Sequence, residues 1–596
     1  MIISKFLDKK IIALVLIFLC TIIIRYENIF ERPLGFHNED ATSHVLVTMN
    51  AFDESPLSMH YFLPIFTLGE EHNKGIDDLP SASKQDEYGN YYYTSFPPLG
   101  FIAPYIFAKI FFLPLNLITL RIFNVILGLL SALLIYFLVK KITSNINRKY
   151  SNLPIISAII YMFNEESLWS HSNAYWAHSL LQPIWITSIY LFLNILQGDY
   201  RRRILWGLGV VIFLMCYTEW TAYIMAFLYI LTLFHVYIRD KRKEVLVAVG
   251  IVGGMSFLSG ILMVSLFSAK VGFSEYFHGL FYRASQRKGH LSLLSELIQN
   301  YWVGFGLFLF IPLVLLIIFC FKRQRESESN IILRNLRILV VVTWIPMLEN
   351  VFLLEHAALY TFATLKLVVP IILTTILILM YLNQKYTKLA LILVCIASVW
   401  SVRTYFYINN SPQNDVIYKT YIEAGTLIKA NTKDDEIAFL NRRVRGHLIY
   451  YAERNIVECG SLEDAVKFMR KSKFATGKYY IVGGSNFGFE PPDSKYLWEY
   501  YGYSSGFIEI SKNGEEGITI YPAKFNDNNW INGISKEGNG FFVSNSEILT
   551  SLKPGNILAD QSGGLHKITS ISNDQVWFGG VPSKSLVDAK SFKLVH

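Results

Sequence analysis

Apolar runs alternating with short basic clusters fill the first two thirds of this 596-residue chain, and few folds accept that pattern. Lys140-Lys141, Arg201-Arg202-Arg203, Arg239 with Lys241-Arg242-Lys243, and Lys322-Arg323 with Arg325 each separate two such runs. Basic loops between long apolar segments follow the positive-inside rule, so the chain reads as a polytopic α-helical membrane protein. Composition agrees. Charged residues make up 17% of the chain, against about a quarter in soluble domains. Because the net charge of +8 lies largely in these clusters, it gives no reason to expect a nucleic-acid partner.

The clusters also set the threading. Lys5, Lys9 and Lys10 precede the first run, Ile11–Ile24, and Arg25-Tyr26-Glu27 follow it without a small-residue cleavage pattern. An uncleaved anchor with a cytoplasmic N-terminus is expected. Pro97–Phe112 carries Pro97-Pro98, Pro104 and Lys109. If it crossed, Lys140-Lys141 would fall outside, so it reads as an outer interfacial helix. The crossings are then Ile11–Ile24, Ile118–Val139, Leu153–Phe163, Leu180–Leu196, Ile204–Tyr217, Ala222–Ile238, Val245–Phe267, Val303–Phe321, Ile338–Leu353, Leu367–Leu382 and Leu389–Val402, about eleven transmembrane helices. The expected setting is the cytoplasmic (inner) membrane, with everything after Arg403 periplasmic or extracellular.

Outside lie a long first loop (25–96), the loops Asn164–His178 and Ala269–Trp302, and the tail. Residues 1–402 form the expected membrane domain. Residues 403–491 alternate helix and strand, with helices at Ile417–Ala430 and Leu462–Lys471 and strands at Glu436–Leu440 and Tyr479–Val482, and read as a small exterior α/β domain. Residues 492–596 carry short strands at Gly517–Tyr521, Gly540–Val543, Leu565–Ile571 and Gln575–Gly579 among Gly, Asn and Asp turns, and read as a β-rich module. Asn526–Trp530 reads as a turn with a core tryptophan rather than a glycan platform. Cys20, Cys216, Cys320 and Cys395 lie in apolar runs and Cys459 in the tail, so no disulfide framework or zinc spacing emerges.

Phe36-His37-Asn38-Glu39-Asp40 follows the first span. With Asn38 as cap, a helix runs through Ala51, Val45, Met49 and Phe52 share a face toward lipid, and Asp40 and His44 share another. Glu39 and Asp40 are the candidate catalytic carboxylates: one would take a proton from an attacking hydroxyl or amine. Acids in a first helical turn also complement the helix dipole, which is the competing account. His37 and His44 flank them. Arg283, Arg287, Lys288 and His290 form a basic group in the third loop, suited to holding a phosphate and its leaving charge. His356 and Tyr360 share a helix face between two late spans; Lys366 begins a span, where a lysine commonly snorkels. These complete the candidate binding set. Glu219, Glu165, Glu166, His171 and His178 could be combined into a metal site, but no HExxH-like spacing supports one. No metal ligands are assigned, and a divalent cofactor stays an unsupported option.

Asn38-Glu39-Asp40, the helix Ala41–Phe52, Phe96-Pro97-Pro98-Leu99-Gly100 and Arg121-Ile122-Phe123-Asn124 resemble, in order and topology, the C-type-fold, lipid-carrier-dependent membrane glycosyltransferases. These include protein O-mannosyltransferases and the lipid A aminoarabinose transferase. The likeness covers roughly residues 1–400. It implies sugar transfer from a polyprenyl-phosphate donor to a protein, glycan or lipid acceptor at the outer membrane face, usually with inversion. It places the base at the first-loop acids. Here the family's Asp-Glu order is swapped, leaving the choice between Glu39 and Asp40 open. The basic residue beside the family's Pro-Pro-Leu is missing, so phosphate contacts fall to Arg283, Arg287, Lys288, His356 or Lys366. The tail holds no Trp-Trp-Asp motif, which speaks against an N-linked oligosaccharyltransferase. A ligase or polymerase of lipid-linked oligosaccharide is the alternative. A transporter would instead place charge mid-span and show repeats.

Overall fold

The computed structural model describes residues 9–34, 40–68, 83–86, 89–144, 150–321, 331–382 and 384–409, and in the tail 422, 424–430, 432, 437–440, 446–458, 479–483, 508–512, 515–523, 530–536, 540–543, 553, 557–560, 565–572, 575–578 and 591–595. The chain divides into two compact units. One comprises Met1–Phe66, Ser81–Asp86 and Tyr91–Tyr418; the other comprises Thr67–Pro80, Glu87–Asn90 and Lys419–His596.

The first unit is a helical membrane body. Eight of its described helices or helical runs are long and apolar enough to cross a bilayer: Leu117–Thr143, Ala177–Leu196, Thr221–Asp240, Lys243–Val271, Leu291–Ile318, Ile331–Phe352, Thr361–Tyr381 and Tyr386–Ile408. Three expected crossings are helices too short for that measure, namely Lys9–Ile24, Leu153–Phe163 and Arg202–Cys216. The Pro97–Phe112 run forms the 12-residue helix Leu99–Ile110, about 18 Å long against about 30 Å of hydrocarbon.

Local chemistry sets several boundaries. Asn116 accepts from the Thr119 amide at 3.0 Å to start Leu117–Thr143, and Asn164 accepts from the Ser167 amide at 2.8 Å to start Glu165–Ser170. Buried Arg121 donates to the Arg32 carbonyl and Asn124 to the Ser170 carbonyl at 2.7 Å. These two residues of the Arg-Ile-Phe-Asn motif therefore hold the chain leading to the acid helix and the end of Glu165–Ser170.

Two outer loops differ from expectation. The segment 164–177 is buried throughout, because its polar groups find partners inside: Arg25 donates to the His171 carbonyl at 3.1 Å, and Tyr405 joins Asn173 and Ser172. Ala269–Trp302 is mostly helix, with Lys243–Val271 running on into it and Phe273–Gln286 and Leu294–Phe305 following.

In the second unit, a five-stranded sheet has the order Ile456–Glu458, Ile437–Leu440, Tyr479–Gly483, Glu515–Ala523, Ile508–Lys512. The first three strands are mutually parallel and the last two join antiparallel. The expected division at 491/492 cuts through this sheet, because Tyr479–Gly483 pairs with Glu515–Ala523 across it. Six strands from Trp530 to Val595 close into an antiparallel barrel. Leu462–Lys471, Cys459 and most of Asn526–Trp530 lie outside the described residues; Trp530 opens a barrel strand.

Candidate functional site

The acid helix spans Asp40–Glu54. Val45, Leu46, Val47, Met49 and Phe52 are all buried in the protein, so its apolar face packs on protein rather than lipid. Thr48 anchors it to the Ile65 carbonyl at 2.8 Å, and Thr42 donates to the Tyr175 carbonyl at 3.3 Å. At the head of this helix Asp40 and His44 meet at 3.5 Å, with side chains 22% and 25% exposed. The expected four-residue pairing is present, with neither group in bulk solvent. His37 and Glu39 lie outside the described residues.

Tyr93 carries the acid helix toward the basic group. Its strand, Tyr91–Tyr93, pairs with Ser83–Gln85, and the Tyr93 amide donates to the Pro64 carbonyl at 2.9 Å. The His44 ring centroid lies 6.1 Å from that of Tyr93. On the other side, the Arg287 guanidinium donates to the Tyr93 hydroxyl at 3.2 Å and sits 5.1 Å above the Phe96 ring. Phe96 thus borders a cation after all, supplied from a distant helix end. Gly289 makes that placement possible: its φ is +63°, and a Cβ there would sit 2.7 Å from the Glu355 amide nitrogen. The same turn accepts from the Glu355 amide through the Arg287 carbonyl at 3.2 Å. Burial would push the Tyr93 phenol up, but Arg287 and then Arg283 outweigh it and hold the phenol below its usual 10.

His356, Tyr360 and Phe362 complete the aromatic wall. The His356 ring lies 6.5 Å from Phe96 and 5.1 Å from Tyr360. Burial first, then Arg287, His178, Lys366 and Arg283, drive the His356 imidazole well below its ordinary range. It is a neutral hydrogen-bonding group at physiological pH, not a cation. Lys288 and His290, by contrast, are exposed and take no part in this wall.

Lys366 is no snorkelling lysine. It is 2% exposed, and its ammonium pairs with Glu349 at 3.2 Å and donates to Thr221 at 2.9 Å. Thr221 in turn donates to Glu349 in a short contact. Two residues earlier, Glu219 lies 2.8 Å from His178, both 2% exposed, an ion contact without hydrogen-bond alignment. Burial would raise the Glu219 carboxyl, but His178, Lys366 and Arg287 hold it below the usual 4.5. The turn bearing Glu219 is clamped to the Pro-Pro-Leu element: Trp220 donates to the Ser95 carbonyl at 2.8 Å and the Leu99 amide to the Tyr217 carbonyl at 2.9 Å. At Gly100 an added Cβ would sit 3.0 Å from that of Ala177, so this element also packs tightly on the start of His178's helix.

The structure therefore brings Asp40, His44, Arg283, Arg287, His356 and Tyr360 around one aromatic wall, with Lys366 in a buried network behind it. Sequence reasoning missed Tyr93, Trp176 (its ring 4.8 Å from that of Phe96 and 6.3 Å from that of Tyr93), the role of the His178–Glu219 pair, and Glu349. Glu349 did leave a signal: a lone acid closing an apolar run predicts a buried partner. Among the described residues, no three His, Cys, Asp or Glu side chains are grouped to share a metal ion.

No family model matches the chain, and no curated protein matches it either. Among solved structures it is similar to the Archaeoglobus fulgidus oligosaccharyltransferase in the apo form, at 14% identity and a TM-score of 0.49, covering 86% of this chain and 75% of that one. It is similar to the archaeal oligosaccharyltransferase AglB from A. fulgidus in complex with an inhibitory peptide and a dolichol-phosphate, at 13% identity and 0.48, covering 86% and 74%. ArnT from Cupriavidus metallidurans bound to undecaprenyl phosphate gives 11% identity and 0.40, covering 85% and 97%. Likeness at these identities and scores is similarity of structure, and says nothing of what this chain acts on.

Proposed function

We propose that this protein transfers a sugar from a polyprenyl-phosphate donor to a protein, glycan or lipid acceptor at the outer face of the membrane. Asp40, with Glu39 beside it in sequence, takes the proton from the acceptor hydroxyl or amine as that atom attacks the anomeric carbon. The bond from that carbon to the phosphate oxygen breaks, and the carrier leaves as a phosphate whose charge Arg287 and Arg283 balance. Attack from the side opposite the phosphate inverts the anomeric centre. His356 and Tyr360 offer hydrogen bonds to the departing phosphate.

One observation carries this reading. An acid–imidazole pair and a guanidinium both meet Tyr93, with His44 6.1 Å from its ring and Arg287 3.2 Å from its hydroxyl, and Arg283 acts on the same phenol. Proton removal and leaving-group charge need groups of opposite character a short distance apart, and few surface arrangements provide both. Lys366 supports the site from behind, through Glu349 and Thr221, rather than touching phosphate.

The test is release of free polyprenyl phosphate and glycosylated product from purified protein in lipid, read by mass spectrometry. Arg287→Gln should reduce release by about a hundredfold. Wild-type release by that variant would remove the phosphate role. Product mass also separates transfer of one sugar from transfer of an assembled chain, the ligase alternative.

A further inference from the structure

A cavity of about 510 Å³ opens between the helices Thr221–Asp240 and Ile331–Trp344, at the ends remote from the candidate site. Thr221 and its neighbour Glu219 mark the site end of the first helix. Its 20 residues span about 30 Å, the thickness of a hydrocarbon core. His235 and Arg239 therefore stand at the opposite membrane face. Three arginines, Arg239, Arg334 and Arg337, line the cavity, and Leu231, Val341 and Val342 form its apolar wall.

The wall opens sideways: Leu231 and Val341 are 49% and 55% exposed, facing where acyl chains would lie. Its inner edge is pinned where buried Asn335 reaches the Leu196 carbonyl at 3.5 Å. Among the described residues the lining carries no acid; Asp240, next to it, pairs with Arg239 at 2.6 Å. Arg334 and Arg337 are three residues apart on one helix, a spacing at which like charges repel. Arg337 is held over the Tyr381 ring at 5.3 Å.

Ordinary snorkelling explains basic residues at a membrane face but not a cavity that they line together between two helices. A free inorganic anion would explain the arginines but not the lateral apolar wall. We propose that this cavity binds one anionic phospholipid from the leaflet opposite the candidate site, its phosphodiester against Arg334 and Arg337 and its acyl chains along Leu231 and Val341. Bound there, the lipid would tie together the two helices whose other ends lead to Thr221 and Glu349, the residues that hold Lys366.

The test uses full-length protein in mild detergent, stripped of lipid and then offered cardiolipin, phosphatidylglycerol, phosphatidylcholine or inorganic phosphate. Bound lipid is counted by native mass spectrometry, and thermal unfolding is followed in parallel. The wild type should retain one anionic lipid and unfold at a higher temperature with it; phosphatidylcholine and phosphate should do neither. Arg334→Gln with Arg337→Gln should weaken retention about tenfold. Arg201→Gln with Arg203→Gln, in another basic cluster, should leave it intact and thereby report that general surface charge is not the cause. Equal retention by the Arg334/Arg337 variant, equal retention of phosphatidylcholine, or equal stabilisation by phosphate would each overturn the proposal.

Discussion

Glu219 and Glu166 are both almost completely buried, at 2% and 1% exposure, yet their environments drive them in opposite directions. Glu219 faces His178 at 2.8 Å with Lys366 and Arg287 nearby, and its carboxyl is held below the usual range despite burial. Among the described residues, the hydrogen-bond partners of Glu166 are hydroxyls: it accepts from Ser170 and, at 3.1 Å, from Thr364. Burial pushes it up to about 7, and pushes its neighbour Glu165 well above the ordinary value. Burial alone does not decide the charge of an acid; the partner does. The first region is built to keep charges beside the candidate site, and the second to keep protons inside the fold.

The sharpest way to break that contrast is to remove each acid. Glu219→Ala leaves His178 buried without its partner and should cost roughly 3 kcal/mol or more in thermal or denaturant unfolding. Lys366→Met should cost somewhat less, on the order of 2 kcal/mol, since Glu349 keeps its Thr221 contact. The same variant should lower transfer, because Thr221 follows the Glu219 turn clamped to Ser95 and Leu99. A pH series gives the next effect. The raised Glu166 favours its protonated form in the fold, so its stability contribution is complete below about 4.5 and is lost as pH rises toward about 7; Glu165, raised by burial and by the neighbouring Glu166, acts with the same sign. Unfolding temperature should fall as pH rises from about 5 to about 7, and Glu165→Gln with Glu166→Gln should flatten that fall. Glu219 acts with the opposite sign: its contribution is present above 4.5 and is lost as pH falls through its depressed value. The smallest effect is expected from Lys288→Ala and His290→Ala, both exposed, which should leave transfer within about twofold of wild type. A large loss there would show that the site extends past the aromatic wall.

Much of the site was legible because it was local. Asp40 and His44 are four apart on one helix, and Arg283 and Arg287 share the same spacing. His356 and Tyr360 also sit one turn apart. Such pairs are fixed by helical geometry before any tertiary contact forms. What sequence could not supply was the identity of the wall between them. Tyr93 reaches the site only because its strand pairs with Ser83–Gln85 and docks on Pro64, and Phe96 meets a cation 191 positions later in the chain, at Arg287. The buried state of 164–177 was hidden for a similar reason. Polar residues such as Glu166 and His171 read as solvent-facing until their partners are known, Thr364 and Ser170 for the first and Tyr161 for the second. The alternation of strand and helix in the tail was visible, but strand partners were not, so a sheet running across residue 492 could not be foreseen.

The account depends most on the acid at the head of the Asp40–Glu54 helix. The direct measurement is the amount of glycosylated product in cells lacking the native copy and supplied with wild type, Glu39→Gln or Asp40→Asn at matched expression and folding. The account predicts that at least one substitution abolishes product, with a loss of about a hundredfold or more. Wild-type product from both would contradict it.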